Sequence, residues 1–396
     1  MVCRQDSSVA IDIPNQKESH MHRRRPPVKV LFIIKQRMAY GTRTKAYGLV
    51  NSCRFVASKL NEFGIQADVV EAIDNNCIDR LVTQYKPTHC FVEALWVVPS
   101  KFETLARLHP SVKWIVRLHS MVPFLTSEGM AFEWLNAYHA LAESGIDIEI
   151  SVNNRKMLHD MNTIYPGLVS YTPNIYTDLN ETCTDPFTYP HANALHIGCF
   201  GALRVLKNHS QQAIWAMEFA ESLDKTLWFH VNISEHEQRE AGPILRNLRA
   251  MFTNTNHHLV EHPWYGHEEF MCLVRHMDIG MQVSFTETFN VVAADFVHAR
   301  VPIVVSNEIE FVVPECQAEA TNKEEVLSAL RAAYNGLPHC KHPKHHGCLS
   351  GAIKYIKKAA NLKHWSREAL LSANEQLLQD HNTDACVRWI KMLRAR

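Results

Sequence analysis

Residues 195–208 read Leu195-His196-Ile197-Gly198-Cys199-Phe200-Gly201-Ala202-Leu203-Arg204-Val205-Leu206-Lys207-Asn208. An apolar run long enough for one strand gives way to a glycine and then to a loop with two cations. What precedes this stretch decides its meaning. Between about 176 and 193 the chain is polar and holds Pro186 and Pro190, which interrupt helix and strand patterns alike. Leu195–Phe200 therefore reads as the first strand of a new unit, and the residues before it belong to another.

The same alternation of short apolar runs and longer amphipathic ones fills both units. Before the break, strands are expected at Val28–Ile34, Ile65–Val70, His89–Val92, Val112–Leu118 and Ile148–Val152. Leu49, Cys53, Val56, Leu60 and Phe63 recur at helical spacing, and Gly64 follows where a helix needs a left-handed cap. After the break, strands are expected near Leu227–Val231, His258–Glu261, Ile279–Val283 and Ile303–Val305, and only helices from about Ala352 to Arg396. Strand and helix in turn build a parallel sheet with helices on both faces. The predicted architecture is α/β: a disordered basic tail (1–27), two doubly wound Rossmann-like domains (28–180 and 190–362) and C-terminal helices (363–396).

Composition narrows the partners. A chain of 396 residues suffices for two separate cores. Lys plus Arg and Asp plus Glu both number 41, so no net field draws the protein to nucleic acid or an acidic membrane. The 11 cysteines follow no regular framework, and Arg4 and Asp6 stand where a signal segment would be apolar. These features predict a cytoplasmic setting. No apolar run approaches the roughly 20 residues that span a bilayer.

The chemistry concentrates at Ser284-Phe285-Thr286-Glu287-Thr288-Phe289-Asn290-Val291-Val292-Ala293-Ala294-Asp295, which leaves a strand, forms a polar loop and enters a helix. Ligands of open parallel sheets bind outside the carboxyl ends of the strands, and a helix starting there offers N–H groups and a positive dipole end to phosphate. Thr288, Phe289 and Asn290 are thus candidates for holding a diphosphate. Glu287 would sit near a sugar, and Asp295 could accept hydrogen bonds from ribose hydroxyls. Taken alone, the stretch is equally an ordinary capped helix. The loop after Leu195–Phe200 tips the balance: Gly201 permits close approach of a ligand, and Arg204 and Lys207 would balance a diphosphate, including the charge that grows on it as the bond to the sugar breaks.

These residues resemble the donor domain of the retaining family-4 glycosyltransferases, whose pattern has an Arg and a Lys after the first strand and a Glu-x7-Glu motif. Arg204, Lys207 and Glu287 match, and Asp295 stands in the second acidic place as a shorter acid. In the first domain, Trp114-Ile115-Val116-Arg117-Leu118-His119 ends a strand in His, as family members do beside the donor sugar, and Pro173-Asn174 is similar to the Pro-Asn that closes their first domain. The resemblance implies a GT-B fold, with the two domains facing across a cleft and the last helices returning to the first. It also implies a nucleotide-sugar donor, retention of anomeric configuration, no metal and no further cofactor, with His119 and Glu287 as catalytic residues. By its own chemistry, His119 could donate a hydrogen bond to a sugar hydroxyl or shuttle a proton. No residue stands out as a covalent nucleophile.

The acceptor side diverges. In Lys35-Gln36-Arg37-Met38-Ala39-Tyr40-Gly41, where family members carry a Gly-rich acceptor loop, only Gly41 is present; Arg37, Tyr40 and Gly41 are the acceptor-side candidates. Glu93-Ala94-Leu95-Trp96-Val97-Val98-Pro99-Ser100, with His109-Pro110-Ser111-Val112-Lys113-Trp114, is similar to glycosyltransferase-like proteins carried by bacteriophages, which adds a hydroxylated DNA base to glycan and lipid as acceptors. The balanced charge argues against DNA. A sugar-nucleotide epimerase of the same architecture and a noncatalytic nucleotide-sugar-binding protein are the alternatives, because fold does not fix reaction. His339, Cys340, His342, His345, His346 and Cys348 are zinc-type ligands by identity, but their spacing fits no common finger and they read as a polar loop.

Overall fold

The computed structural model describes residues 27–39, 42–44, 47–177, 185–189, 192–233, 242–336 and 366–394. The tail before residue 27, Tyr40, Gly41 and the His/Cys cluster at 339–348 lie outside the described residues.

The first sheet contains β1 (Lys29–Lys35), β4 (Gln66–Ala72), β5 (His89–Glu93), β6 (Lys113–Leu118), β7 (Ile148–Val152) and β8 (Val169–Tyr171). Its order is β4-β1-β5-β6-β7-β8, and every neighbouring pair is parallel. In the loop after β1, β2 (Arg37–Ala39) and β3 (Thr42–Thr44) form an antiparallel pair. The strands read as apolar runs because helices cover both faces. On β1, Leu31 and Ile33 join the cluster around Trp114, while Val30, Phe32 and Ile34 join the opposite one around Trp389.

The second sheet contains β9 (Ala194–Gly198), β10 (Thr226–Asn232), β11 (His258–His262), β12 (Ile279–Gln282), β13 (Ile303–Ser306) and β14 (Gln317–Ala318), in the order β11-β10-β9-β12-β13-β14. The progression reverses between β9 and β12, so the crevice at their carboxyl ends is where a ligand is expected. Gly198 and Gly280 lie opposite each other there. A Cβ on Gly198 would come 2.9 Å from the Phe296 ring, and one on Gly280 would come 2.7 Å from it. Both glycines are needed for the helix Val291–His298, which carries Phe296, to seat on the sheet with its first turn at the crevice.

A single helix, Arg367–Arg394, links the two halves. Leu370, Leu371, Leu377 and Leu378 pack into the second core, and Ala385, Trp389 and Leu393 into the first. The Trp389 ring lies 5.8 Å from Phe32 and 5.0 Å from Phe91, and its Nε1 donates to Pro173 O at 2.8 Å. The fold is thus two doubly wound α/β domains facing across a cleft, with the C-terminal helix crossing back. Among the described residues, no helix is long and apolar enough to cross a membrane.

Candidate active site

The loops leaving β9 and β12 are stitched together. Gly201 has φ +107° with open space where a Cβ would point, so backbone conformation rather than close packing demands glycine. After the turn Val205–Lys207, Asn208 adopts φ 58° and its amide donates to Val283 O and Ala320 O, both at 3.2 Å. Phe285 N donates to Leu206 O at 2.9 Å. These bonds bring Lys207 Nζ to 2.5 Å from Glu287 Oε1. Arg204 reaches across to the first domain, its guanidinium carbon 4.8 Å from the centre of the Phe124 ring.

The residues at the helix start divide the work. Asn290 accepts from Ala293 N at 2.8 Å as N-cap, and its amide donates to Gln282 Oε1 and Glu287 Oε1, both at 2.9 Å. It therefore positions Glu287, and its side chain has no capacity left for phosphate. Phe289 is buried, 5.0 Å from the Phe311 ring and 5.1 Å from His381, so its ring belongs to the core. By helical geometry Val291 and Val292, next in the chain, have N–H groups without intrahelical partners, and both residues line a pocket.

That pocket, of about 460 Å³, is also lined by Gly201, Asn232, Trp264, Tyr265 and Asp295, with Asn51 contributed by the first domain. Asp295 accepts from Tyr176 Oη at 2.8 Å and meets His267 Nε2 at 3.0 Å. Burial raises its pKa, against the lowering effect of His267.

On the opposite wall His119 follows β6. Its Nε2 makes a short hydrogen bond to Glu93 Oε2, at the end of β5. Arg117, aligned with Glu93 in the sheet, donates to the same oxygen at 3.3 Å. The Arg117 guanidinium also donates to Thr172 O and, at 2.5 Å, to Asn174 Oδ1. Burial pushes the Glu93 pKa up, but Arg117 and then His119 outweigh it and hold the carboxyl below its ordinary value. Thr288 bridges the walls: its Oγ1 donates to His119 O at 3.2 Å and accepts from Asn153 Nδ2 at 3.3 Å, and its carbonyl accepts from Asn154 Nδ2 at 2.9 Å.

His119, Phe124, Arg204, Lys207, Glu287 and Thr288 therefore line one interdomain cleft of about 390 Å³, beside the pocket that holds Asp295. Gly201 and Asp295 belong to that second pocket, and Arg37 lies on β2. Sequence reasoning missed Glu93, Arg117, Asn153, Tyr176 and His267. The available signal was a charged residue inside an otherwise apolar strand, at Glu93 and Arg117; the other three carry none.

No protein-family model and no curated protein matches the chain by sequence. Solved structures match it by shape. A structure described as trehalose-6-phosphate from E. coli bound with UDP-2-fluoro glucose is 10% identical, with TM-score 0.59 over 92% of this chain and 99% of that one. Sucrose-phosphate synthase of Thermosynechococcus elongatus is 11% identical, with TM-score 0.59 over 93% and 98%. Anabaena HepE in complex with UDP and glucose is 12% identical, with TM-score 0.56 over 93% and 100%. At such identities the likeness bears on fold alone, and the fold it establishes is the two-domain GT-B architecture.

Proposed function

We propose that the chain transfers a sugar from a nucleotide-sugar donor to an acceptor hydroxyl with retention of configuration. The observation that carries this reading is the Lys207–Glu287 pair at the switch point of the second sheet, facing His119 of the first domain across the cleft. Fold neighbours described with UDP-2-fluoro glucose, or with UDP and glucose, support a nucleotide sugar as ligand.

In this reading the nucleoside occupies the pocket with Trp264, its ribose toward Asp295. The diphosphate lies over the N–H groups of Val291 and Val292, with Lys207 and Arg204 meeting the charge that develops on the leaving oxygen. Glu287 and His119 orient the sugar. With no protein nucleophile assigned, the acceptor enters on the face that the diphosphate leaves, and a diphosphate oxygen takes its proton. The protein's cations fill the role a metal would take, so transfer is expected to need none. The acceptor enters beside the first domain and the β2–β3 hairpin that carries Arg37; glycan, lipid and a hydroxylated DNA base are its candidate classes. A nucleotide-sugar supply favours a cytoplasmic setting.

A thermal-shift screen of nucleotide sugars tests this directly, because a ligand bound only by the native state raises the melting temperature. One donor class is expected to give a shift that Lys207→Ala removes. No shift with any donor would reject the site. Isomerisation of the donor without acceptor would replace transfer by epimerisation.

A further inference from the structure

The mechanism above leaves Glu93 and Arg117 without a task, yet both side chains are fully buried. Burying charge is costly unless partners compensate it; Arg117 balances the charge of Glu93, but most of its hydrogen bonds go elsewhere. Its donors reach Thr172 O at 3.2 and 2.9 Å, Thr172 Oγ1 at 3.1 Å and Asn174 Oδ1 at 2.5 Å, against 3.3 Å to Glu93. The same Glu93 oxygen is closer to His119 Nε2 than to Arg117, and Glu93 Oε1 has no nitrogen or oxygen partner among the described residues; the carboxylate's further neighbour is the buried Cys53 thiol. The strongest contact of this carboxylate is therefore with a ring at the edge of the cleft.

The consequence falls on the imidazole. A carboxylate only accepts, so Nε2 carries the hydrogen. Arg117 already balances the Glu93 charge, and a second imidazole proton would leave the buried trio net positive. Burial accordingly holds the His119 pKa below its ordinary value, although Glu93 opposes the shift. Nδ1 keeps its lone pair. Its contact with a donor, Asn153 Nδ2, is long at 3.5 Å, and that amide also lies 3.3 Å from Thr288 Oγ1.

We propose that Glu93 is a positioning residue that holds His119 as the Nε2–H tautomer, so that Nδ1 meets the bound sugar as an acceptor and selects a hydroxyl there. The selection of a hydroxyl rests on reading the cleft as the sugar site. A hydroxyl donates to Nδ1, whereas the carboxylate of a uronic acid cannot. A neutral sugar is therefore favoured over a uronate at the position that His119 touches.

The test is the long-range proton–nitrogen spectrum of the full chain labelled with ¹⁵N-histidine, the His119 ring being identified by its loss in His119→Asn. The wild type is expected to show the Nε2–H form alone near neutral pH. Glu93→Gln is expected to show both tautomers, because an amide offers Nε2 a donor as readily as an acceptor. With UDP-glucose and UDP-glucuronate as probes, the same variant is expected to lose about tenfold of the discrimination between them, chiefly through the donor KM. A single Nε2–H tautomer retained in folded Glu93→Gln, or an Nδ1–H form in the wild type, overturns the proposal. Should Arg117 left unpaired prevent folding, Glu93→Gln with Arg117→Met removes both charges and is read in the same way. If neither probe binds, the discrimination is read with the neutral and uronic sugars of the nucleotide that the thermal-shift screen selects; a wild type with the expected tautomer that binds no nucleotide sugar overturns the selection of a hydroxyl together with the sugar reading, and the spectrum then decides the role of Glu93 on its own.

Discussion

The two walls of the cleft hold their charges in opposite ways. On the first wall Arg117 and Glu93 are sealed, each with no side-chain exposure, while on the second the Lys207 side chain is 28% exposed beside Glu287 at 5%. A sealed guanidinium fastened to Thr172 and Asn174 cannot rearrange for a ligand without leaving buried groups unpaired. A lysine at the rim can, since its ammonium sits on a flexible stem and is partly solvated. Under the proposed function the first wall would serve as a template that fixes one imidazole, and the second as a surface that exchanges an internal partner for an incoming phosphate.

The largest effect is expected on the second wall. Glu287→Ala should lower kcat/KM for transfer by about a thousandfold, or ~4 kcal/mol of transition-state stabilisation, with the melting temperature of the free protein little changed. A loss below tenfold would make that wall as passive as the first. Next comes Arg117→Met, which leaves Glu93 buried beside a single imidazole. It should cost about 3–5 kcal/mol of stability, seen as a lower urea midpoint at unchanged slope. An unchanged midpoint would mean that the sealed wall carries no load.

The effect that is smallest at neutral pH lies beneath the Lys207 loop. His209 is 2% exposed, and neither ring nitrogen has a hydrogen-bond partner among the described residues. Burial, then Lys207, pushes its pKa from 6.5 to about 3. The unfolded chain takes up the proton first, so stability should fall as pH drops from about 6.5 toward 3. His209→Leu is expected to flatten that fall by up to about one proton in urea titrations at several pH values. Part of the slope should survive, because burial also lowers His262 to about 4. Equal slopes in the two proteins would place the titration outside the second wall.

Much of the scaffold was legible because parallel strands are buried on both faces. Val30 to Ile34 and Ile303 to Val305 read as continuous apolar runs. Of the four edge strands, β4 and β11 were legible and two were not: β8 has three residues and β14 two, too short to leave a period. On the second wall, Lys207 and Glu287 could be proposed because each follows a strand directly. The roles of the Phe289 and Asn290 side chains were not legible, since only packing shows Phe289 against Phe311 and only geometry shows Asn290 capping its own helix. The first wall was nearly silent. Its key pairs join Glu93 to Arg117, 24 residues on, and Arg117 to Asn174, 57 residues on.

Local order in the chain thus determined the strands, the division into two α/β units and the loops at their carboxyl ends, because periodicity and turn chemistry act over a few residues. Tertiary structure alone decided which buried charges meet, which nitrogen of His119 carries its hydrogen, and that Tyr176 and His267 hold Asp295 in place. Those outcomes depend on desolvation and on partners supplied by distant strands and by the other domain. Neither exists until the chain has folded.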